Sequence, residues 1–243
     1  MIQGFVRGVL AYGKALGLIR RLRLWFYVFV PGLISLVFGI LLFSFVWNFS
    51  DNIGEWATSW YRWRGEGIAN TVGSVLSGII VVVLSVLLFK YIIILLVSPF
   101  MSLLSEKVEK HLTGDQTTTT FQVGKLLKDI VRGLSLALRN VLWELLLTVL
   151  LLLVSLIFPI LAPFTAALIF LVQSYYAGAG NMDFTMERHL SFRASIQFVR
   201  SNRGLAIGNG AIFLLLFLTG IGFLIAPTLA TIAGTVETVR RLE

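Results

Sequence analysis

The residues best suited to chemistry lie early in the chain, in the run Gly17-Leu18-Ile19-Arg20-Arg21. Glycine lets backbone N–H groups converge, and the start of the next helix would add a partial positive charge. Adjacent guanidinium groups supply forked donors that match a tetrahedral oxyanion such as sulfate. The run predicts an anion site in which Arg20 and Arg21 capture the anion and Gly17 and Leu18 supply backbone donors. Such short basic runs are also typical of topology signals and of anionic-lipid binding, which stays open as the alternative.

Two further ionisable residues, Lys90 and Glu144, stand beside long uncharged stretches. Ionisable groups inside a membrane are costly and are candidates for function by default. Lys90 is about 10 Å along a helix from Val97, so it can also reach the cytoplasmic interface. These two charges are therefore either a pair beside a conduction pathway or ordinary interfacial residues.

The motifs give no support to enzyme chemistry. The chain contains no G-x-S-x-G elbow, H-E-x-x-H pair or P-loop. The two histidines, His111 and His189, lie far apart, and the absence of cysteine removes disulfides and thiolate metal sites. We expect His111 to lie on the surface of a cytoplasmic helix. No enzyme activity, cofactor or metal is predicted, and an intramembrane hydrolase assembled from distant Ser, His and Asp residues is kept as a third hypothesis.

The elements that must position these residues are membrane helices. The chain has 243 residues, of which 57% are hydrophobic and 13% are charged, and its net charge is +8. Because soluble domains carry about 25% charged residues, this composition predicts an integral membrane protein and excludes disordered, fibrous and disulfide-scaffold classes. Basic residues are interleaved with lipid-sized apolar runs, so nucleic acid is not expected as a partner.

Uncharged runs predict one all-α membrane domain over residues 1–243. About 20 apolar residues cross a membrane, so two long transmembrane helices are predicted at 24–47 and 72–97. The remaining segments are an amphipathic N-terminal helix at 1–23, cytoplasmic helices at 98–140, a first hairpin at 141–176, a cytoplasmic linker at 177–204 and a second hairpin at 205–239.

The two hairpins are too short in their apolar parts for two complete spans and a turn. Halved, each gives arms of about 20 Å, against a hydrocarbon core of about 30 Å. Their middles are interrupted by Pro159 and Pro163 in one case and by Gly220 and Gly222 in the other, without polar side chains to reach the headgroups. Such stretches predict re-entrant hairpins whose tips stop inside the bilayer. Two ordinary spanning hairpins are the alternative.

Charge also predicts the orientation of the chain. In this topology 17 basic residues fall on one side of the membrane and two on the other, so both termini are expected in the cytoplasm. Aromatic residues cluster around the single outer loop and predict an interfacial belt. These residues are Trp47, Trp56, Trp60, Tyr61 and Trp63.

Two segments resemble a known family. Residues 98–114 read SPFMSLLSEKVEKHLTG, and residues 175–192 read YYAGAGNMDFTMERHLSF. Both are similar to segments at these places in the CysZ-type sulfate permeases and the related etoposide-induced membrane proteins. The order of amphipathic helix, two spans, hairpin, linker and hairpin also agrees, so the resemblance covers essentially the whole chain.

The resemblance implies a bacterial inner-membrane protein that admits sulfate for cysteine synthesis and assembles as a homo-oligomer. It also implies two spanning helices with partly penetrating hairpins, and a glycine-leucine-arginine motif for sulfate before the first span. Here Ile19 adds one residue to that motif before Arg20 and Arg21, and Arg23 is expected to share their role.

Small residues in the second predicted span would let helices approach closely, either between subunits or within one subunit. They are Gly73, Ser74, Ser77 and Gly78. The leading hypothesis is an anion permease or channel with sulfate as its substrate. The alternative is a non-transporting membrane scaffold whose arginines hold anionic lipid.

Overall fold

The computed structural model describes residues 1–34, 36–41, 44, 92, 96–114, 123–220 and 222–242. Within these ranges every regular element is helical and none is a strand, which confirms the all-α class. The helices are α1 (Ile2–Arg21), α2 (25–34 and 36–41), α3 (96–113), α4 (Val123–Ile157), α5 (Ala162–His189), α6 (Phe192–Ser201), α7 (Arg203–Leu218) and α8 (Ala226–Leu242).

The chain divides into two compact units, one formed by Met1–Gly32 with Val97–Glu243 and the other by Leu33–Leu96. Helices α1 and α4–α8 belong to the first unit, together with α3 from Val97 onwards. Several sequence predictions fall outside the described residues. They concern Lys90, the outer-loop aromatic residues at 47–63, the small residues at 73–78 and most of the predicted span at 72–97.

Two helical stretches are long and apolar enough to cross a membrane. They are Val131–Ile157, which contains an 18-residue window with a mean hydropathy of 2.3, and Pro159–His189, which contains one of 1.6. Two bent pairs reach the same standard only if each pair counts as one span: Ile2–Arg21 with Trp25–Leu41, and Phe192–Ser201 with Arg203–Leu218, which meet at 87°. The described residues therefore hold two to four candidate spans, which confirms a membrane protein.

Helices α4 and α5 form the first hairpin, and its tip is broken where the prolines predict. Helix α4 ends at Ile157, a single 3-10 turn occupies Pro159–Leu161, and α5 begins at Ala162. Helix α4 extends beyond the predicted apolar arm of about 20 Å, because the 27 residues of Val131–Ile157 extend about 40 Å and include residues predicted as cytoplasmic helix. Helix α5 also continues through 177–189, which were predicted as linker. The depth of the tip in a bilayer stays a prediction.

Helices α7 and α8 form the second hairpin, which differs from the first in burial. Every residue of α8 from Ala226 to Val239 is buried, whereas α4 exposes leucines from 134 onwards and α5 exposes large apolar side chains only near its start. The break at the tip includes Gly220, whose φ of 75° favours glycine after the end of α7. The second hairpin and the C-terminal half of α5 therefore form much of the interior of the first unit, whereas α4 and the start of α5 present apolar surface.

Helix α7 approaches α5 and α1 so closely that backbone meets backbone. A methyl group at Gly210 would stand 1.8 Å from the Ser174 carbonyl oxygen of α5. A methyl group at Gly208 would stand 2.2 Å from the Phe5 carbonyl oxygen of α1. Since no side chain fits at either place, these glycines set the distance between the three helices.

Asn209 joins the helices around α7 through its backbone and its amide. Its carbonyl oxygen accepts a hydrogen bond from the Tyr12 hydroxyl of α1 at 2.7 Å. Its side-chain oxygen accepts from Asn181 of α5 at 2.9 Å, and its amide nitrogen donates to the Ala230 carbonyl of α8 at 3.0 Å. One buried residue therefore fixes the register of α1, α5 and α8 against α7.

Candidate functional site

The predicted anion-binding arginines lie where α1 ends and α2 begins. Arg20 and Arg21 form the last turn of α1, Arg23 follows in a tight turn, and all three side chains are exposed. The side chains of Ile19 and Leu24 are only 5% and 0% exposed, so they anchor this segment on the core. The structure therefore places three guanidinium groups on one anchored corner, termed the arginine turn (20–24).

The backbone of the arginine turn contains a residue in an unfavourable conformation. The N–H of Leu24 donates to the Ile19 carbonyl at 3.0 Å. Helices that end with this hydrogen bond usually have glycine at the residue before the donor. Here that position is Arg23, with φ of 53°, the one non-glycine residue with positive φ in the described ranges. Such a conformation costs on the order of 1 kcal/mol or more and is concentrated at binding sites. The strain therefore marks Arg23 as a functional candidate.

Gly17 and Leu18 lie inside the last turns of α1, where each N–H donates to a carbonyl four residues earlier. Their N–H groups are thus used by the helix itself, and their role as donors to an anion stays a prediction. No atom lies within 4 Å of the position that a methyl group would take at Gly17. Packing in the described residues therefore does not require glycine there.

The two segments that carry the family resemblance contact each other inside the first unit. Ser105 belongs to the first segment on α3, and its hydroxyl lies 2.9 Å from that of Thr185 in the second segment on α5. Thr235 of α8 completes the group at 3.0 Å from both hydroxyls. All three side chains are fully buried. We term them the hydroxyl cluster, and they connect α3, α5 and α8.

An ionic group continues from the hydroxyl cluster. Arg188 of α5 donates to the Ser105 hydroxyl at 2.8 Å and, through Nε, to a Glu109 carboxylate oxygen of α3 at 2.9 Å. The second oxygen of Glu109 contacts His189. One turn away on α3, the Ser102 hydroxyl donates to the Glu187 carboxylate. Together with the hydroxyl cluster, these residues form the polar network of α3, α5 and α8.

Arg132 forms a second buried ion pair between the first hairpin and its neighbours. Its two terminal nitrogens donate to the two oxygens of Asp183 at 3.2 and 3.1 Å, and one of them also donates to the Ser195 hydroxyl. Both charged side chains are almost completely buried, at 13% and 10% exposure. A forked pair of this kind fixes α4 against α5 and α6 in a single geometry.

A row of threonines follows one face of α8. Thr228, Thr231, Thr235 and Thr238 are spaced three or four residues apart, and all are fully buried. The hydroxyl of Thr228 donates to the Tyr27 carbonyl at 2.7 Å, and that of Thr235 belongs to the hydroxyl cluster. The hydroxyls of Thr231 and Thr238 have no hydrogen-bond partner among the described residues. A buried hydroxyl without a partner lowers stability by about 1–3 kcal/mol, so Thr231 and Thr238 are kept in the core at a cost in stability.

Glu144 is fully buried on α4, and its role beside a pathway or at the interface stays a prediction. Its predicted partner Lys90 lies outside the described residues, and the pairing stays a prediction. His111 is exposed on α3 as expected. Within the described part of the chain, no cluster of acidic and histidine side chains could hold a metal ion.

Apolar helices long enough to span a membrane, joined by a buried polar network, define an integral membrane protein. The chain belongs to the family described as sulfate transporter CysZ/etoposide-induced protein 2.4, whose model matches residues 11–227. This match confirms the resemblance and covers the arginine turn, α7 and the α3 and α5 members of the polar network, whereas Thr235 lies beyond it. The family is a transporter family. Among individually curated proteins, none matches the chain.

Sequence reasoning missed Glu109, Arg188 and Thr235 as members of one network. The first two stand in the quoted family segments, so their acid and arginine were visible signals. Their pairing was not visible, because 79 residues separate them. Thr235 had a weaker signal, the regular spacing of threonines along α8.

Proposed function

We propose that this protein is an anion permease or channel of the bacterial inner membrane, with sulfate as its substrate and sulfur assimilation as its purpose. The observation that carries the proposal is the family match over residues 11–227. The description of that family names a sulfate transporter, and no enzymatic step is needed for passive or coupled uptake. Both termini are placed in the cytoplasm by the positive-inside rule.

The arginine turn is the proposed anion-binding site at the cytoplasmic end of the route. Arg20, Arg21 and Arg23 are exposed beside the start of α2, where helix N–H groups favour an anion. Guanidinium groups stay charged at any physiological pH and match the oxygens of sulfate in pairs. The strained backbone at Arg23 supports the same role, because a glycine there would be more stable and would lack the charge.

The threonine face of α8 supports a polar route through the core of the first unit. Sulfate is a dianion without protons at neutral pH, so it needs donors rather than acceptors. The hydroxyls of Thr231 and Thr238 can donate to a passing oxyanion, and neither is used by another described residue. Arg188 lies beside the same face through the hydroxyl cluster, where Glu109 pairs with its charge.

A homo-oligomer is part of the proposal. The first hairpin exposes apolar side chains up to its tip, where Phe158 and Ile160 are 56% and 85% exposed. The broken backbone at such a tip is tolerated inside a membrane only when protein or a wet cavity surrounds it. Neighbouring subunits would supply that cover if the hairpin is re-entrant.

The test is sulfate uptake into proteoliposomes containing the purified protein. We expect saturable uptake that prefers sulfate to chloride and that falls at least ten-fold in the Arg20→Ala/Arg21→Ala variant. The matched control is Arg193→Ala, which removes an exposed arginine on α6 and should transport normally. Folded protein with uptake no better than empty vesicles would reject the permease.

The second candidate function is a membrane scaffold whose arginines hold anionic lipid. Exposed cations at the end of α1 favour it, because such cations also stabilise the helix terminus without any cargo. A scaffold should show neither flux nor selectivity between sulfate and chloride. The same uptake experiment therefore separates the two functions.

A further inference from the structure

A cavity of about 140 Å³ opens between α4, α5 and α6, away from the arginine turn and from the threonine face of α8. Its polar lining includes Arg139 and Asn140 of α4, Tyr175 and Tyr176 of α5, and Arg200 of α6. Trp143, one turn beyond Arg139 on α4, forms part of its wall. One water needs roughly 10–15 Å³ of such space, so the cavity accommodates a group several times larger.

The charge of the cavity is positive. Arg139 and Arg200 both line it, and no acidic residue does. Arg139 donates to the side-chain oxygen of Asn140 at 3.1 Å, and Arg203 donates to the Arg200 carbonyl at 3.1 Å, which places a third guanidinium at this end of α6. Two carboxylates lie close behind the lining: Glu144, which is fully buried, acts electrostatically on Tyr176, and Asp183 is bound by Arg132, which also contacts Ser195 of the lining.

Arginine forks and tyrosine hydroxyls together match the oxygens of a phosphate group. The guanidinium groups of Arg139 on α4 and Arg200 on α6 can each donate paired hydrogen bonds, and Tyr175 and Tyr176 add hydroxyl donors. The occupant therefore carries a tetrahedral oxyanion. A phospholipid phosphate and an inorganic oxyanion share this chemistry.

The position of the cavity along the hairpin favours the lipid. Arg139 lies about 27 Å from the tip at Ile157, and Tyr176 about 21 Å from the tip at Ala162, at 1.5 Å per residue. Since the hydrocarbon core is about 30 Å thick, these side chains fall near headgroup level when the tip is inserted. Trp143 and two tyrosines at this level are typical of the membrane interface.

The surface beside the cavity is apolar on the side of the tip. Leu142 and Leu146 flank Trp143 on α4 and are 59% and 50% exposed. Acyl chains attached to a phosphate in the cavity can lie along these leucines, whereas an inorganic ion would make no use of them. Charge complementarity and the adjoining apolar surface thus favour a phospholipid over an inorganic oxyanion.

We propose that the cavity between α4, α5 and α6 is a binding site for the phosphate headgroup of an anionic phospholipid. Arg139 and Arg200 bind the phosphate, and Trp143 contacts the upper part of the acyl chains. The lipid joins the first hairpin to α6 from outside. This site is independent of sulfate transport, so failure of uptake does not affect it.

The first experiment measures binding of phosphatidylglycerol to the full-length protein in mixed micelles, against phosphatidylcholine. We expect selective binding and a higher Tm with phosphatidylglycerol, and binding weakened about ten-fold or more in Arg139→Gln/Arg200→Gln, because charge-assisted hydrogen bonds are lost. The matched control Arg193→Gln removes an exposed arginine of α6 outside the cavity and should bind as the unmodified protein does. Equal binding by the double variant and this control would overturn the proposal.

A second measurement, by fluorescence, leaves both arginines in place. Phosphatidylglycerol brominated near the headgroup should quench the fluorescence of Trp143, measured as the difference between the unmodified protein and Trp143→Phe. Brominated phosphatidylcholine should quench this difference signal much less. Inorganic phosphate and sulfate are tested in the lipid-poor state: if either raises the Tm as phosphatidylglycerol does, and Arg139→Gln/Arg200→Gln abolishes that rise, the cavity binds a free oxyanion and the lipid assignment is wrong.

Discussion

The close approach of α5 and α7 can be tested by adding one methyl group. In Gly210→Ala the new carbon would stand 1.8 Å from the Ser174 carbonyl oxygen, where ordinary contacts need at least 3.4 Å. The obstacle is backbone, so no rotamer change relieves it and the helices must separate. Overpacking of this kind costs about 1–3 kcal/mol, and we expect the upper end. For a chain of this size, about 3 kcal/mol lowers the Tm by roughly 6–12 °C.

The matched substitution is Gly17→Ala on α1, where no atom lies within 4 Å of the added methyl group. Alanine should stabilise the helix there by about 0.5–1 kcal/mol and raise the Tm by roughly 1–4 °C. The assay is thermal unfolding of both purified variants in one detergent, followed by circular dichroism. If the two variants had the same Tm, the backbone contact between α5 and α7 would be refuted.

Three other substitutions test the site and its surroundings. Arg23→Gly should relieve the left-handed backbone, raise the free energy of unfolding by about 1 kcal/mol and lower sulfate uptake. Arg23→Ala should lower sulfate uptake without raising the Tm. Normal sulfate uptake by Arg23→Gly would show that Arg23 is not part of the anion site. Arg132→Met should lower the free energy of unfolding by about 3 kcal/mol, because it leaves Asp183 buried without its partner. Adding Asp183→Asn should restore part of that loss. If thermal unfolding showed strictly additive losses for the two substitutions, the buried ion pair between Arg132 and Asp183 would be refuted. Thr235→Val should lower the free energy of unfolding by about 1–2 kcal/mol, because it breaks the hydroxyl cluster. The control Thr113→Val, on the exposed end of α3, should lower it by less than about 0.5 kcal/mol. Equal Tm values for the two variants would contradict a stabilising role of the hydroxyl cluster.

Local features of the fold could be predicted from sequence because local chemistry decides them. Pro159 and Pro163 cannot continue a helix, and the hairpin tip is broken there. The basic run at the end of α1 was correctly placed before the next helix. The donor role given to Gly17 requires a free backbone N–H group, whereas α1 continues through this residue, and the role stays a prediction.

The difference between the two hairpins was not predictable from hydropathy. Apolar side chains suit lipid and protein interior equally, so the hydropathy of the two hairpins is similar and does not distinguish them. Small residues carried the distinguishing signal: Gly208 and Gly210 on α7 and the threonines of α8 permit close packing, whereas α4 is rich in leucine. The polar network escaped prediction for another reason, because its members are brought together only by the tertiary fold.

The contacts of α1 with α7 and α8 have a consequence for biosynthesis. Tyr12 binds Asn209 across 197 residues, and Thr228 binds Tyr27 across 201. At about 5–20 residues per second, a ribosome needs roughly 10–40 s to supply those partners. During that interval the first helix has been made while the helices that bury it have not. The insertion machinery or the lipid surface must cover the apolar face of α1 until then. Folding of the first unit can therefore be completed only after α7 and α8 have been synthesised.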